Sequence, residues 1–171
     1  PGTLIINVGD READVYDAFL KAQETGQSIL VRAAWNRAIE NAEEKYLWEH
    51  MESRRAKDEL LKVDVPRNGK SPARTAELSV RYSQVQIKPP AYRKAEKLSS
   101  IKVYAVLVRE EHPPEGVEPI EWLLLTTVPV NSVEDAKERV QWYSCRWTIE
   151  IYHKVLKSGC LIEERQFERA D

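Results

Sequence analysis

Several chemistries are excluded by what this chain has little of. Cysteine occurs twice in 171 residues, at Cys145 and Cys160, which offers no disulfide framework and reads as a reducing, cytosolic protein. Histidine occurs three times, at His50, His112 and His153, and none is spaced from a cysteine as a zinc site requires. The six glycines form no phosphate-cradling loop, and no nucleophile elbow is present. No apolar run reaches the ~18 residues of a membrane span, so no membrane partner is expected. Pro1-Gly2 opens nothing like a signal peptide. An initiator methionine is missing as well; with a strand beginning almost at once, the chain reads as a piece of a longer protein. Net charge is −2, so no global basic field draws in nucleic acid, and any such affinity must come from local clustering.

What is present suffices for one domain, or one domain with an inserted lobe. Hydrophobic residues make up 42% and charged residues 32%, enough for a core beneath a soluble surface. Leu4-Ile5-Ile6-Asn7-Val8 is a β-branched run that predicts a buried, parallel strand. Residues 15–22 predict a helix with Val15, Phe19 and Ala22 on one face, stopped by Gly26. Residues 28–33 predict a second strand, completing a βαβ unit in about thirty residues. In such sheets ligands gather at the carboxyl ends of strands, where Asp10 lies. Either Asp10 or Asp14 could equally cap the following helix.

The rhythm then changes. Residues 36–57 predict one or two helices. Alternating runs at 60–65, 75–88, 101–108 and 122–128, separated by proline-rich turns, predict an antiparallel meander. Residues 35–130 therefore read as a β-rich insertion into an α/β domain made of 1–34 and 131–160, with 161–171 starting an extension. No repeat or low-complexity tract interrupts this order.

Residues 131–159 predict one long helix, entered through capping-box spacing at Ser132 and Asp135 and closed by Gly159. About 26 residues would span roughly 40 Å. At about 100° per residue, Tyr143, Arg146, Trp147, Glu150, Lys154 and Lys157 share one narrow stripe. The remaining circumference is apolar, which predicts a buried helix. A carboxylate set among arginine, lysines and aromatics suits phosphate and nucleic acid. Ordinary i,i+4 ion pairs explain the same spacing. A strand-end aspartate and a helix glutamate are also what metal-assisted phosphodiester chemistry needs, since hard cations take carboxylate oxygens.

These residues carry a resemblance. Tyr143-x2-Arg146-x3-Glu150-x6-Lys157 resembles the signature of bacterial insertion-sequence transposases of the DDE type, and more closely the insertion-sequence-four, transposon-five-like family. Gly9-Asp10-Arg11-Glu12-Ala13-Asp14 is similar to the segment holding that family's second catalytic aspartate. Trp122-Leu123-Leu124-Leu125-Thr126 resembles the strand before its catalytic helix. The resemblance implies a partial RNase H-like core of the retroviral-integrase type, with the β-rich stretch inserted. It implies cut-and-paste DNA transposition through hydrolysis and transesterification at transposon ends. Asp10 and Glu150 would be catalytic and bind two Mg2+ or Mn2+ ions. Tyr143, Arg146, Lys154 and Lys157 would grip DNA phosphates, Trp122 would receive a flipped base, Trp147 would stack nearby, and Arg32 would flank the site. The same residues also read as a core tryptophan at Trp122, packing beneath the helix at Trp147, and an ion-pair partner at Arg32. Implied partners are transposon-end and target DNA, with a homodimer on DNA, in a bacterial cytoplasm and nucleoid. The family's first aspartate would lie upstream of Leu4, so the expectation is that this chain alone does not cut DNA. The alternatives are a non-catalytic DNA-binding remnant and a purely structural module.

Overall fold

The computed structural model describes residues 3–40, 43–67 and 72–160, with the side chain of Glu150 also outside the described set. The β-branched opening run becomes β1, Ile6–Gly9. It pairs in parallel with β2, Ser28–Arg32, with Ile6 opposite Ser28 and Gly9 opposite Val31. Helix α1, Tyr16–Thr25, links them and stops at Gly26, whose φ of 68° lies in the left-handed region that glycine enters without a Cβ penalty. Two expectations fail here. Val15 is exposed and Tyr16 takes its place beside Phe19 and Ala22 in the buried face. Strand β1 is not buried: Leu4, Ile5 and Val8 are exposed, because β1 is the sheet's edge and has β2 as its sole neighbour among the described residues.

Residues 36–57 yield one short helix, α2, Leu47–Ser53, which buries Leu47, His50 and Met51. Tertiary pairing overrides helix propensity before it. Ile39 bridges Ile87, Glu40 donates to the Gln86 carbonyl and Lys88 to the Ala38 carbonyl, at 2.9 and 2.8 Å.

The meander forms as its alternation predicts. Strands β3 (Leu61–Val65), β4 (Arg74–Ile87), β5 (Ile101–Arg109) and β6 (Glu121–Thr126) pair antiparallel in succession. Strand β6 then pairs antiparallel with β2, Leu30 facing Thr126 and Arg32 facing Leu124. One mixed sheet results, in the order β1-β2-β6-β5-β4-β3. The two sides of β6 enter different cores, which is why its sequence is a continuous apolar run. Leu123 and Leu125 join Phe19, Leu47, Met51 and Val103 beneath α1 and α2. Leu124 and Trp122 join Leu30, Leu78, Val106 and Val140 on the other side. Each large side chain buried in this way contributes about 1.5–3 kcal/mol.

Beyond β6, the capping box is present: Ser132 Oγ accepts from the Asp135 N–H at 3.0 Å, and Asp135 Oδ2 from the Ser132 N–H at 3.2 Å. The single long helix is not. Helix α3, Val133–Ser144, and helix α4, Arg146–Lys154, meet at Cys145, and a π turn, Val155–Gly159, follows. Gly159 lies inside that turn, which the Cys160 N–H closes on the Val155 carbonyl at 2.9 Å. The buried-helix expectation holds only for α3, which covers the sheet with Ala136, Val140 and Tyr143. On α4, Ile149, Ile151 and Tyr152 are exposed, as is Val155 of the π turn. Apart from Trp147, no described apolar residue of α4 reaches either core. Among the described residues no helix is long and apolar enough to cross a membrane.

Candidate functional site

Because β1 and β2 are parallel and β6 opposes them, the C-terminal ends of the first two strands and the start of β6 share one rim of the sheet. Asp10 follows β1, Arg32 ends β2, and Trp122 lies at the start of β6. The chain turns sharply after β1. A Cβ on Gly9 would lie 2.5 Å from the Ala13 Cβ, so only glycine lets the following 3-10 turn, Arg11–Ala13, fold back onto the strand. That turn holds Asp10 at its N-terminus, where the carboxylate accepts from the Arg11 N–H at 2.8 Å.

The last turn of α3 and the first of α4 close over this aspartate. Tyr143 donates its hydroxyl proton to Asp10 Oδ1 at 3.1 Å across 133 residues of sequence. Arg146 Nη2 lies 3.2 Å from Asp10 Oδ2. Partial burial works to raise the Asp10 pKa. The Arg11 N–H, the Tyr143 hydroxyl and the charges of Arg146 and Arg32 together outweigh it, and the carboxyl titrates below its ordinary value. Burial and then the Asp10 charge push the Tyr143 phenol up.

Trp122 is 6% exposed. Tyr143 and Trp147 meet it edge-on, at 5.0 and 5.3 Å between ring centroids, contacts worth about 0.5–1.5 kcal/mol each beyond burial. Arg32 donates to the Glu121 carbonyl at 3.0 Å. In front of these groups opens a cavity of about 620 Å³ whose lining includes Arg11, Arg32, Arg109 and Arg146 against Glu110, Glu118 and Glu121. Two of those carboxylates are already matched: Glu110 by Arg74 and the Ile120 N–H, Glu121 by Arg109. Arg11 and Arg32 form no ion pair among the described residues. The cavity is therefore net cationic, with aromatic edges on its wall.

Residues 4–171 match the family described as the transposase DDE domain. The chain belongs to that family. A role in DNA transposition follows from membership.

Seen as a transposase domain, the fold unites five of the residues singled out in sequence around Asp10: Arg32, Trp122, Tyr143, Arg146 and Trp147. Lys154 and Lys157 are exposed farther along the chain and are not among the described residues that line that cavity. Glu150 belongs to α4 by its backbone, and its side chain lies outside the described residues. Transposase DDE domains typically use divalent metals. Asp10 offers the right donor atoms, but its two oxygens face Tyr143 and Arg146. No three side chains of His, Cys, Asp or Glu converge among the described residues. The described group does not fit a metal centre.

Two features escaped the sequence reading. Asp14 does not cap α1, whose N-cap is Val15; it is 1% exposed and ties the β1 end to the β2 end. Its Oδ2 accepts from the Ala34 and Trp35 N–H groups at 2.7 and 3.2 Å, and its Oδ1 from Arg37 Nε and Nη2 at 2.8 and 2.6 Å. Arg109 enters the cavity wall because it stands opposite Glu121 in the β5–β6 register, a pairing visible only once the meander's turns are fixed.

Proposed function

We propose that the Asp10 rim is where this transposase domain engages the phosphodiester at a transposon end, within an RNase H-like core formed by 1–34 and 131–160 around the β-rich stretch 35–130. Asp10 and Glu150 are read as its acidic residues for cut-and-paste hydrolysis and transesterification. The observation that carries the reading is the convergence of Tyr143 and Arg146 on Asp10 beside Arg32. Arg146 presents a planar, permanently charged fork suited to phosphate oxygens. The Tyr143 hydroxyl adds a donor, and Arg32 adds charge at the strand end. The edges of Trp122 and Trp147 offer apolar contact to a base displaced from its stack.

This arrangement makes Arg146 a competitor's choice between Asp10 and DNA. In metal-free buffer, Arg146→Ala is expected to weaken DNA binding and Asp10→Asn to strengthen it, both read by a gel shift at fixed salt. If neither substitution moves the affinity, the pair is a structural contact and the reading fails. A second reading, DNA binding without catalysis, is supported by the pairing of Asp10 with Arg146. Nicking of supercoiled plasmid in Mn2+, abolished by Glu150→Gln, would reject it.

A further inference from the structure

The connection between β4 and β5 gathers positive charge that the Asp10 site does not use. Residues 88–100 contain Lys88, Arg93, Lys94 and Lys97 against one acid, Glu96, in a chain whose net charge is −2. Arg93 is occupied, paired with Glu96 and with Asp17 of α1. Lys88, Lys94 and Lys97 are exposed and form no ion pair among the described residues. All three line one cleft of about 610 Å³. Its carboxylate, Glu40, already accepts from Ser100 Oγ at 2.6 Å. The 3-10 turn Ala91–Glu96 ends on Lys97 at φ 52°, the left-handed region that a side chain disfavours.

A second cleft, of about 540 Å³, shares Lys88, Pro89, Pro90 and Ala91 with the first, so the two adjoin along this segment. Two aromatic side chains line it while remaining largely in water: Trp35 at 65% and Tyr92 at 81% exposure. The backbone of Trp35 is held by the buried Asp14 carboxylate, to which its N–H donates at 3.2 Å. Single exposed aromatics are ordinary. Two on one cleft, beside three uncommitted lysines, combine base-stacking surfaces with phosphate partners.

We propose that these adjoining clefts bind an unpaired DNA strand, with Lys88, Lys94 and Lys97 on phosphates and Trp35 and Tyr92 against bases. A duplex keeps its base faces stacked and could use only the lysines. The inference takes DNA as the partner from the proposed function, yet it concerns a surface that shares no lining residue with the Asp10 cavity.

The test measures binding of the 171-residue chain to a fluorescent oligothymidylate and to a short duplex by anisotropy, between about 50 and 200 mM salt. Trp35→Ala and Tyr92→Ala are expected to weaken single-strand binding at least about fivefold each, leaving duplex binding within twofold. Removing Lys88, Lys94 and Lys97 together should flatten the single-strand salt dependence by about 0.7 per lost phosphate contact. The variant would then lose roughly 20-fold less affinity over that fourfold salt range. Lysine-to-arginine versions should restore the slope, and Trp35→Phe should retain most of the affinity, which separates loss of contact from loss of fold. Single-strand affinity indifferent to Trp35→Ala and Tyr92→Ala, or an unchanged slope in the lysine variant, overturns the proposal. If only Arg146→Ala matters, this surface is refuted while the Asp10 reading stands. If the wild-type chain binds neither DNA form, both fall.

Discussion

Replacing Asp14 with alanine tests the tie that holds the two strand ends of the site together. The carboxylate is fully buried, and the Arg37 side chain retains 9% exposure. Four hydrogen bonds are lost at once: two from the Arg37 guanidinium and two from the Ala34 and Trp35 N–H groups. Removing one member of a buried pair costs about 3–5 kcal/mol, because the other charge is stranded away from water. One bond moderates this, since Arg37 Nη2 also donates to the Asp14 backbone carbonyl at 2.6 Å and keeps that acceptor. The expected loss is therefore about 3–4 kcal/mol, a large share of the 5–15 kcal/mol typical of a folded domain. The corresponding drop in melting temperature is roughly 6–16 °C at this size. Urea denaturation followed by tryptophan fluorescence gives the value directly, provided the dependence on denaturant is unchanged. Glu24→Ala is the control: its partner Lys21 is 3.5 Å away and both side chains are mostly exposed, so the change should stay under about 0.5 kcal/mol. The double change Asp14→Leu with Arg37→Met should recover part of the loss, as an apolar pair needs no desolvated charge. A cost under about 1 kcal/mol for Asp14→Ala would show that water reaches the cluster and refute the reasoning.

Four further outcomes follow from the same structure. Gly9→Ala should destabilise by about 1–3 kcal/mol through overpacking against Ala13; a variant as stable as the parent chain in urea unfolding would contradict it. Asp10, titrating below its ordinary 3.8, stabilises the fold above that value, and its contribution fades as pH falls through the lowered folded value. Arg146→Ala should move the Asp10 carboxyl signal upward in an NMR titration, and an unmoved signal would show that the arginine does not act on it. Tyr143, raised above 10.0, favours the neutral phenol, so its contribution is complete below that pH and lost as pH rises through the folded value; Asp10→Asn should lower the phenol's midpoint in an ultraviolet titration. Ser132→Ala removes half of the capping box and should cost about 1 kcal/mol in thermal or urea unfolding.

The division between what sequence decided and what tertiary structure decided follows the range of the forces involved. Short-range chemistry was legible in the chain alone: the βαβ unit, the stop at Gly26, the capping box at Ser132 and Asp135, and four strands within a residue or two of their observed bounds. Each depends on neighbours within a turn or a pleat, where periodicity and backbone preference act directly. The stripe from Tyr143 onward was legible as spacing, and its first half does meet Asp10. The burial of the helix beyond it could not be read that way: the ladder is interrupted at Cys145 and α4 outruns the sheet, so an apolar circumference did not mean burial. Strand β1 fails for the same reason: a β-branched run declares a strand, while its place at the edge is decided by which strands pair beside it. Residues 36–57 carried helix propensity; Leu47–Ser53 realise it, while pairing at the end of β4 took residues 38–40. Asp14 could be anything from a cap to a ligand in sequence; only the close approach of two loops supplied the four donors that make it a buried tie. Local pattern thus fixed the elements, and long-range pairing fixed which of their faces are covered and which charges meet.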